Sequence, residues 1–534
     1  MKRREFIQRA VPVAMLPFML NGFPLRAYGR TPLLEAMTKS AVATDRVLVL
    51  IQLGGGNDGI NTVIARDQYD AYMSARRNIA IPESALLPLT ETTGLHPVMA
   101  GMYSLYDEGR LAIVQGVTYP NPDLSHFRAT DIWLTAANYN ENIPSGWLGR
   151  YLQQEFPGYP EGYPNEVMPD PLAIQIGADV SLSLKSASGP MAISLHDPYS
   201  FYQLIERGNK GGETEPPQTP AGRELSYIQR MSAQSQEYAE QVKGAADATS
   251  GLQRSQKYPS AGQNYLADQL KIVATLIAGG LKTRLYVVNL YGFDTHSSQV
   301  DGNDTMTGDH AVLLQKLSTA IAAFQDDLKM LGLEDRVLGL TFSEFGRRVY
   351  SNSSLGTDHG TAAPMFLFGK AVRPGIIGEN PDLTDLNDGN LKMQFDFRSV
   401  YASVLQQWFG AGKAELDAVL LRSYPEIQIV RKAYYIDEQG KRIYPSDCRL
   451  YTNYPNPFNP TTKIPYDLPD DGQVLMQVFD MAGRRVAVLV NGYQPAGHYE
   501  VTFTATSRLA SGAYVCELRW GDALAIRNKM LLVR

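Results

Sequence analysis

Cysteine is nearly absent from this 534-residue chain; the two present are Cys448 and Cys516, both toward the carboxyl end. Everything before Cys448 is thereby denied thiolate catalysis, cysteine-ligated metal and disulfide staples. Long apolar runs are missing as well: nothing beyond Gly29 approaches the ~18 consecutive apolar residues of a membrane helix. Neither sign of charge dominates. Lys and Arg total 49 against 55 Asp and Glu, a net charge of −6, which argues against a nucleic-acid or anionic-membrane binder. The 46 Gly and 32 Pro follow no period, which removes collagen-like and low-complexity readings. What is present is 44% hydrophobic and 10% aromatic, enough for a sizeable core in about three domains, or in one large α/β domain and a small module.

The first residues read as an export signal over 1–29. Lys2-Arg3-Arg4-Glu5-Phe6-Ile7 is a twin-arginine pattern, an apolar stretch from Val11 to Leu20 follows, and Ala27-Tyr28-Gly29 offers a small-x-small cleavage site. A basic amino-terminal helix of a cytosolic protein is the rival reading. Interrupted by Pro12 and Pro17, the stretch is poor as a membrane span, so the mature chain is expected to have none.

From Asp45 onward, strands and helices alternate. Continuous apolar runs at 46–52, 111–116, 284–291, 336–342 and 364–369 read as buried strands. Between them Leu266, Gln269, Leu270, Val273, Leu276 and Ile277 keep helical spacing, as do His310, Leu313, Leu314, Leu317, Ile321, Phe324 and Leu328. This is the α/β pattern with a mostly parallel sheet flanked by helices, in which ligands sit beyond the carboxyl ends of the strands. A Pro/Gly-rich loop at 208–222 leads into a polar helical insert, about 205–262 in all, expected as a cap or hairpin. The large domain is placed at 30–423, with a linker at 424–450.

Beyond the linker, short β-like runs at 474–480, 485–490, 498–503 and 513–518 are separated by Ala482-Gly483, Asn491-Gly492 and Ser511-Gly512 turns. Regular short strands with turn signals predict a small β-sandwich over 451–534. Both cysteines fall at or in it, so a Cys448–Cys516 disulfide and two free thiols are both open.

Two resemblances follow from particular residues. Asn453-Tyr-Pro-Asn-Pro-Phe-Asn-Pro-Thr-Thr462, Val478-Phe-Asp-Met-Ala-Gly483, Gly497-His498 and Ser511-Gly-Ala-Tyr514 resemble a type A sorting domain of the type IX secretion system. That resemblance implies the type IX machinery as partner, and passage from the periplasm to the medium or cell surface. Leu53-Gly-Gly-Gly-Asn-Asp-Gly59, Ser125-His-Phe127, Gly292-Phe-Asp-Thr-His296, Phe342-Ser-Glu-Phe-Gly-Arg347 and Gly356-Thr-Asp-His-Gly360 resemble the domain-of-unknown-function 1501 family. It implies an alkaline phosphatase- and sulfatase-like fold, whose members hydrolyse phosphate or sulfate esters with one or two metal ions.

Carried over residue by residue, this implies metal ligands at Asp58, Asp294, His296, Glu344, Asp358 and His359, a nucleophile at Ser125 and an anion clamp at Arg347. Such ligands suit a divalent ion, Zn, Mn, Ca or Mg, acting on an anionic ester. Independently, Asp294 and His296 are alternate residues of an extended segment and point one way. The chain departs from the active pattern at Ser343-Glu344-Phe345-Gly346, where Ser-Asp-His-Gly is usual, and Phe345 cannot bind metal. His310 is the one histidine left to complete an alternative alignment; His96, His196 and His498 read as surface or loop residues. Gly54-Gly-Gly56 is no phosphate loop, because no Lys follows it. The rival to a hydrolase is a non-catalytic cell-surface ligand-binding protein with a degenerate site.

Overall fold

The computed structural model describes residues 45–208, 219–431 and 448–533 except short stretches at 469–471, 495–496, 507–508 and 521–523, with strand pairs at 18–25 and 435–443. Apart from the first of these pairs, the signal segment 1–29 lies outside the described residues, as do loop 209–218 and much of the 424–450 linker. Two compact units result, Asp45–Arg431 and one comprising Lys432–Arg534 with the residues before Asp45.

The first unit is built on one mixed sheet. Its strands are β1 (Val47–Gly54), β2 (Leu111–Thr118), β3 (Ala173–Ile176), β4 (Ile193–Leu195), β5 (Leu285–Tyr291) and β6 (Val337–Phe342). A hairpin of β7 (Arg347–Ser351) and β8 (Thr357–His359) follows, then β9 (Ala363–Phe368), β10 (Gly375–Ile377) and β11 (Phe395–Asp396). The sheet order is β4-β3-β5-β1-β6-β9-β2-β10, with β11 also pairing β2. Every pairing is parallel except the two made by β9. Because β9 runs backwards, its first residue, Ala363, pairs with Val117 near the end of β2. The loop entering β9 therefore meets the loops leaving β1, β2, β5 and β6 at one edge.

The apolar runs are continuous because both faces of the sheet are covered. Leu48, Leu50, Val287, Leu338 and Leu340 point to a layer holding Trp133, Trp147, Phe397 and Tyr401. Val47, Val49, Ile51, Val288 and Val337 point to the opposite layer, built on helices Tyr265–Ala278 and Asp309–Met330. Asn264 caps the first of these by accepting the Ala267 N–H. The insert is a helical hairpin, Pro198–Gly208 with Pro220–Ala248, and Val242 and Ala245 enter the core beside Tyr265–Ala278. His96, expected at the surface, is buried.

Beside its two strand pairs, the second unit holds two larger antiparallel sheets over its described residues 449–532, Arg449–Leu450/Thr461–Leu468/Gly497–Thr504 and Arg485–Gln494/Gly472–Asp480/Gly512–Trp520/Leu524–Leu532. Strands 461–468 and 524–532 go beyond the four runs expected. Ile464, Tyr466, Val474, Met476, Leu518 and Met530 form its core. Cys448 and Cys516 stand as free thiols, so the open question of their pairing closes on that side.

Candidate metal centre

Four segments at the carboxyl edge of the sheet bring their polar side chains together. After β2, His126 opens the helix His126–Thr135; after β5 come Asp294 and His296; after β6 come Glu344 and Arg347; Asp358 and His359 precede β9. The central group is Asp294. Its Oδ1 lies 3.2 Å from His359 Nε2, 3.3 Å from His296 Nε2 and 2.8 Å from Arg347 Nη2. Its Oδ2 lies 3.4 Å from His126 Nε2.

Each imidazole is held by its other nitrogen. His126 Nδ1 lies 2.9 Å from Glu344 Oε1, His359 Nδ1 2.8 Å from Leu124 O, and His296 Nδ1 3.3 Å from Asp358 Oδ1. A carbonyl or carboxylate oxygen only accepts, so a ring that donates from Nδ1 has, when neutral, a bare Nε2. The three Nε2 atoms face one another and a carboxylate: His296 Nε2 is 2.9 Å from His359 Nε2, and the buried His126 Nε2 has no hydrogen-bond partner among the described residues. His126, Asp294 and His359 form a group able to hold a metal ion, their donor atoms all within 4.8 Å of one another. Nδ1 anchoring is also how metal-bound histidines are oriented. The centre is open to solvent, the Asp294 side chain being 48% and that of His296 44% exposed.

Protonation favours ligation. Burial pushes the Asp294 carboxyl up, but hydrogen bonds from Arg347 and His359 and the charge of Arg347 outweigh it and hold the group at about 2. Burial lowers the pKa of the His359 ring below its ordinary value, against the hydrogen bonds to Leu124 and Asp294. Asp358 is lowered against the pull of burial by Asn352 and His296.

Arg347 lies at the centre, with its Nη2 on the Asp294 carboxylate. It is buried and donates to the carbonyls of Gly55, Gly56, Phe293 and Thr357 as well as to Asp294, so it ties three loops together and is not an exposed anion clamp. This tie explains the triple glycine. A Cβ on Gly55 (φ +121°) would stand 2.4 Å from the Asp294 backbone N, and one on Gly56 (φ +76°) 2.3 Å from the Phe345 ring. Glu344 is nearly buried, and its Oε1 also accepts the Gly55 N–H at 2.8 Å, so it acts on the centre by orienting His126. Phe345 packs on His126 and His359, with ring centroids 4.9 and 4.5 Å away.

Asp58 is not brought into the centre. Fully buried, its Oδ2 takes 2.6 Å bonds from both Arg76 and Gln299, while Oδ1 caps the turn Gly59–Thr62. Burial raises its pKa, yet the charges and hydrogen bonds around it, Arg76 first among them, bring it below the ordinary value. It belongs to a buried polar layer in which Asn57 Oδ1 meets His310 Nε2 at 3.0 Å and His96 packs edge-on to His310. Ser125 precedes the His126 helix without making a side-chain cap, and lines an open depression with Phe127, Arg128 and Tyr139. The residue not singled out from sequence as a ligand is His126, although it stands inside the Ser125-His-Phe127 motif.

A family model described as "Protein of unknown function (DUF1501)" matches residues 114–420, and one described as "Secretion system C-terminal sorting domain" matches residues 452–532. No curated protein matches the chain. Similar solved structures include a protein in the alkaline phosphatase superfamily from Vibrio parahaemolyticus, 9% identical, covering 84% of this chain and 83% of that one, TM-score 0.32. Another is the PsFucS1 sulfatase from Pseudoalteromonas sp., 10% identical, covering 88% and 85%, TM-score 0.31. Similarity this low bears on no residue of the centre. Among the described residues no helix is long and apolar enough to cross a membrane.

Proposed function

The chain belongs to the DUF1501 family, whose model covers more than half of it, and from that footing we propose an exported, metal-dependent hydrolase of phosphate or sulfate esters. One observation carries the reading: three imidazole Nε2 atoms converge on one carboxylate, each ring with an acceptor at its Nδ1, and the donor atoms of His126, Asp294 and His359 lie within 4.8 Å of one another. Acceptors at Nδ1 and a carboxylate at Nε2 of all three rings are held together by positive charge among them, which a bound metal ion supplies. Three nitrogens and a carboxylate suit Zn or Mn better than Ca or Mg, which prefer oxygen.

In this reading Asp294, His126, His296 and His359 are the ligands. Glu344, Asp358 and the Leu124 carbonyl fix the ring tautomers, and Arg347 fixes the Asp294 carboxylate and the loops behind it. A divalent ion bound there would polarise the ester oxygen and lower the pKa of an attacking hydroxyl. Ser125, whose hydroxyl is not spent on a helix cap, is the candidate nucleophile. The sorting domain at 452–532 directs the chain to export; the type IX machinery is the partner we assign to it, after a twin-arginine route that carries folded, metal-loaded protein.

Elemental analysis of the purified chain tests this. We expect about one equivalent of Zn or Mn, lost in His126→Ala and His359→Ala, with hydrolysis of aryl phosphate or sulfate falling at least about 100-fold. Ser125→Ala abolishes turnover if the serine attacks, and leaves it if water does. No metal in the wild type, even after Zn or Mn is supplied, overturns the reading and leaves a non-catalytic binding protein.

A further inference from the structure

The residue that follows His126 is the most exposed large apolar side chain among the described residues: Phe127, 88% exposed. A phenyl ring held in water on a first helical turn gains nothing for the fold. It lines an open depression of about 440 Å³, within the size range of ligand sites, together with half-exposed Tyr139. The polar lining is uncommitted: the side chains of Asp131, Asn140 and Asn142 make no hydrogen bond among the described residues. The lining carries one cation, Arg128, against two carboxylates, Asp131 and Glu141. The Arg128 Nη2 donates to the carbonyls of Asn138, Tyr139 and Glu141, fixing the loop that carries Tyr139.

Two aromatic faces, free amides and a lining whose carboxylates outnumber its single cation do not describe a site for a polyanion. They fit an uncharged ring that offers C–H groups to the aromatic faces and hydroxyls to the amides and carboxylate. We infer that this depression is a subsite for a neutral sugar ring, so that the ester presented to the centre is borne on a carbohydrate. Ser125 lines the depression and His126 reaches Asp294, so one ligand lying along the start of this helix serves both places. The substrate class rests on the hydrolase reading; the sugar subsite does not.

Titration calorimetry of the full chain with cellohexaose, xylohexaose, mannohexaose and chitohexaose, and with a thymidine hexanucleotide as a stacking polyanion, separates the two. At least one sugar should bind, about tenfold or more weaker in Phe127→Ala. That variant, removing an exposed ring, should melt like the wild type. His359→Ala, which breaks the centre, should bind the sugar undiminished. Sugar binding by a chain that takes up no metal would sink the hydrolase and keep the subsite. The subsite is overturned if none of the four sugars binds, if Phe127→Ala binds equally well, or if the hexanucleotide binds more tightly than every sugar.

Discussion

An imidazole has two nitrogens, and tying one of them down decides what the other can do. His126, His296 and His359 are each tied at Nδ1, whereas His310 meets Asn57 through Nε2 inside a buried layer. The two carboxylates contrast in the same way. Asp294 and Asp58 each carry an arginine, but Asp58 has no exposure and a second donor in Gln299. Asp58→Asn should therefore leave the metal content unchanged while stranding Arg76 without its counter-charge, a loss of about 3–5 kcal/mol in urea denaturation. Asp294→Asn should lose the metal. Equal metal loss in both variants would return Asp58 to the centre. Asp58 looked like a ligand because it follows the first strand, and that position was legible. The inward turn of Arg76, 18 residues later, was not, because nothing local in the sequence marks which surface-type residue goes in. His126 shows the same limit: Ser125-His-Phe127 is legible as a motif, but not that its histidine reaches Asp294.

At the scale of elements, the five apolar runs became strands and the two spaced patterns became helices, since burial on both faces writes itself into composition. The direction of Ala363–Phe368 did not. An apolar run reads alike either way, and only the pairing with β2 and β6 shows that its leading loop, with Asp358 and His359, arrives at the carboxyl edge. The helix Asp309–Met330 buries His310 in its first turn, against His96. Burial lowers the first to about 4 and the second to about 3, from an ordinary value near 6.5. Both rings stay neutral in the fold while the unfolded chain protonates. Their contribution is whole above about pH 6.5 and is lost as pH falls toward 4 and then 3, on the order of 1–3 kcal/mol for His310. Urea midpoints should drop between pH 7.5 and 4.5, and His310→Asn should flatten the dependence. An unchanged slope would mean that the ring is charged in the folded chain.

At the scale of the whole molecule, each unit closes a core of its own, one around the mixed sheet and one between the two antiparallel sheets. The change of composition near Ser423 marked the transition, but the first core continues past it. Ile429 is fully buried in the Trp133–Phe397 layer, and Gln407 Oε1 accepts its N–H at 3.0 Å. Arg431 then donates to the carbonyls of Val372 and Gly109, and Val372 bridges Val430. Residues 424–431, which read as linker, are therefore the last layer of the first unit; an extended strap with one apolar residue in the core carries no periodic signal. Two truncations separate these boundaries. A chain ending at Arg431 keeps every one of these bonds and should melt within about 2 °C of the first unit in the full chain, with its metal retained and its export lost. One ending at Ser423 forfeits the burial of Ile429 and the Arg431 tie, about 2–4 kcal/mol, and should melt about 5 °C lower or more. If both truncated chains melt alike, the strap contributes nothing and the unit ends where its composition changes.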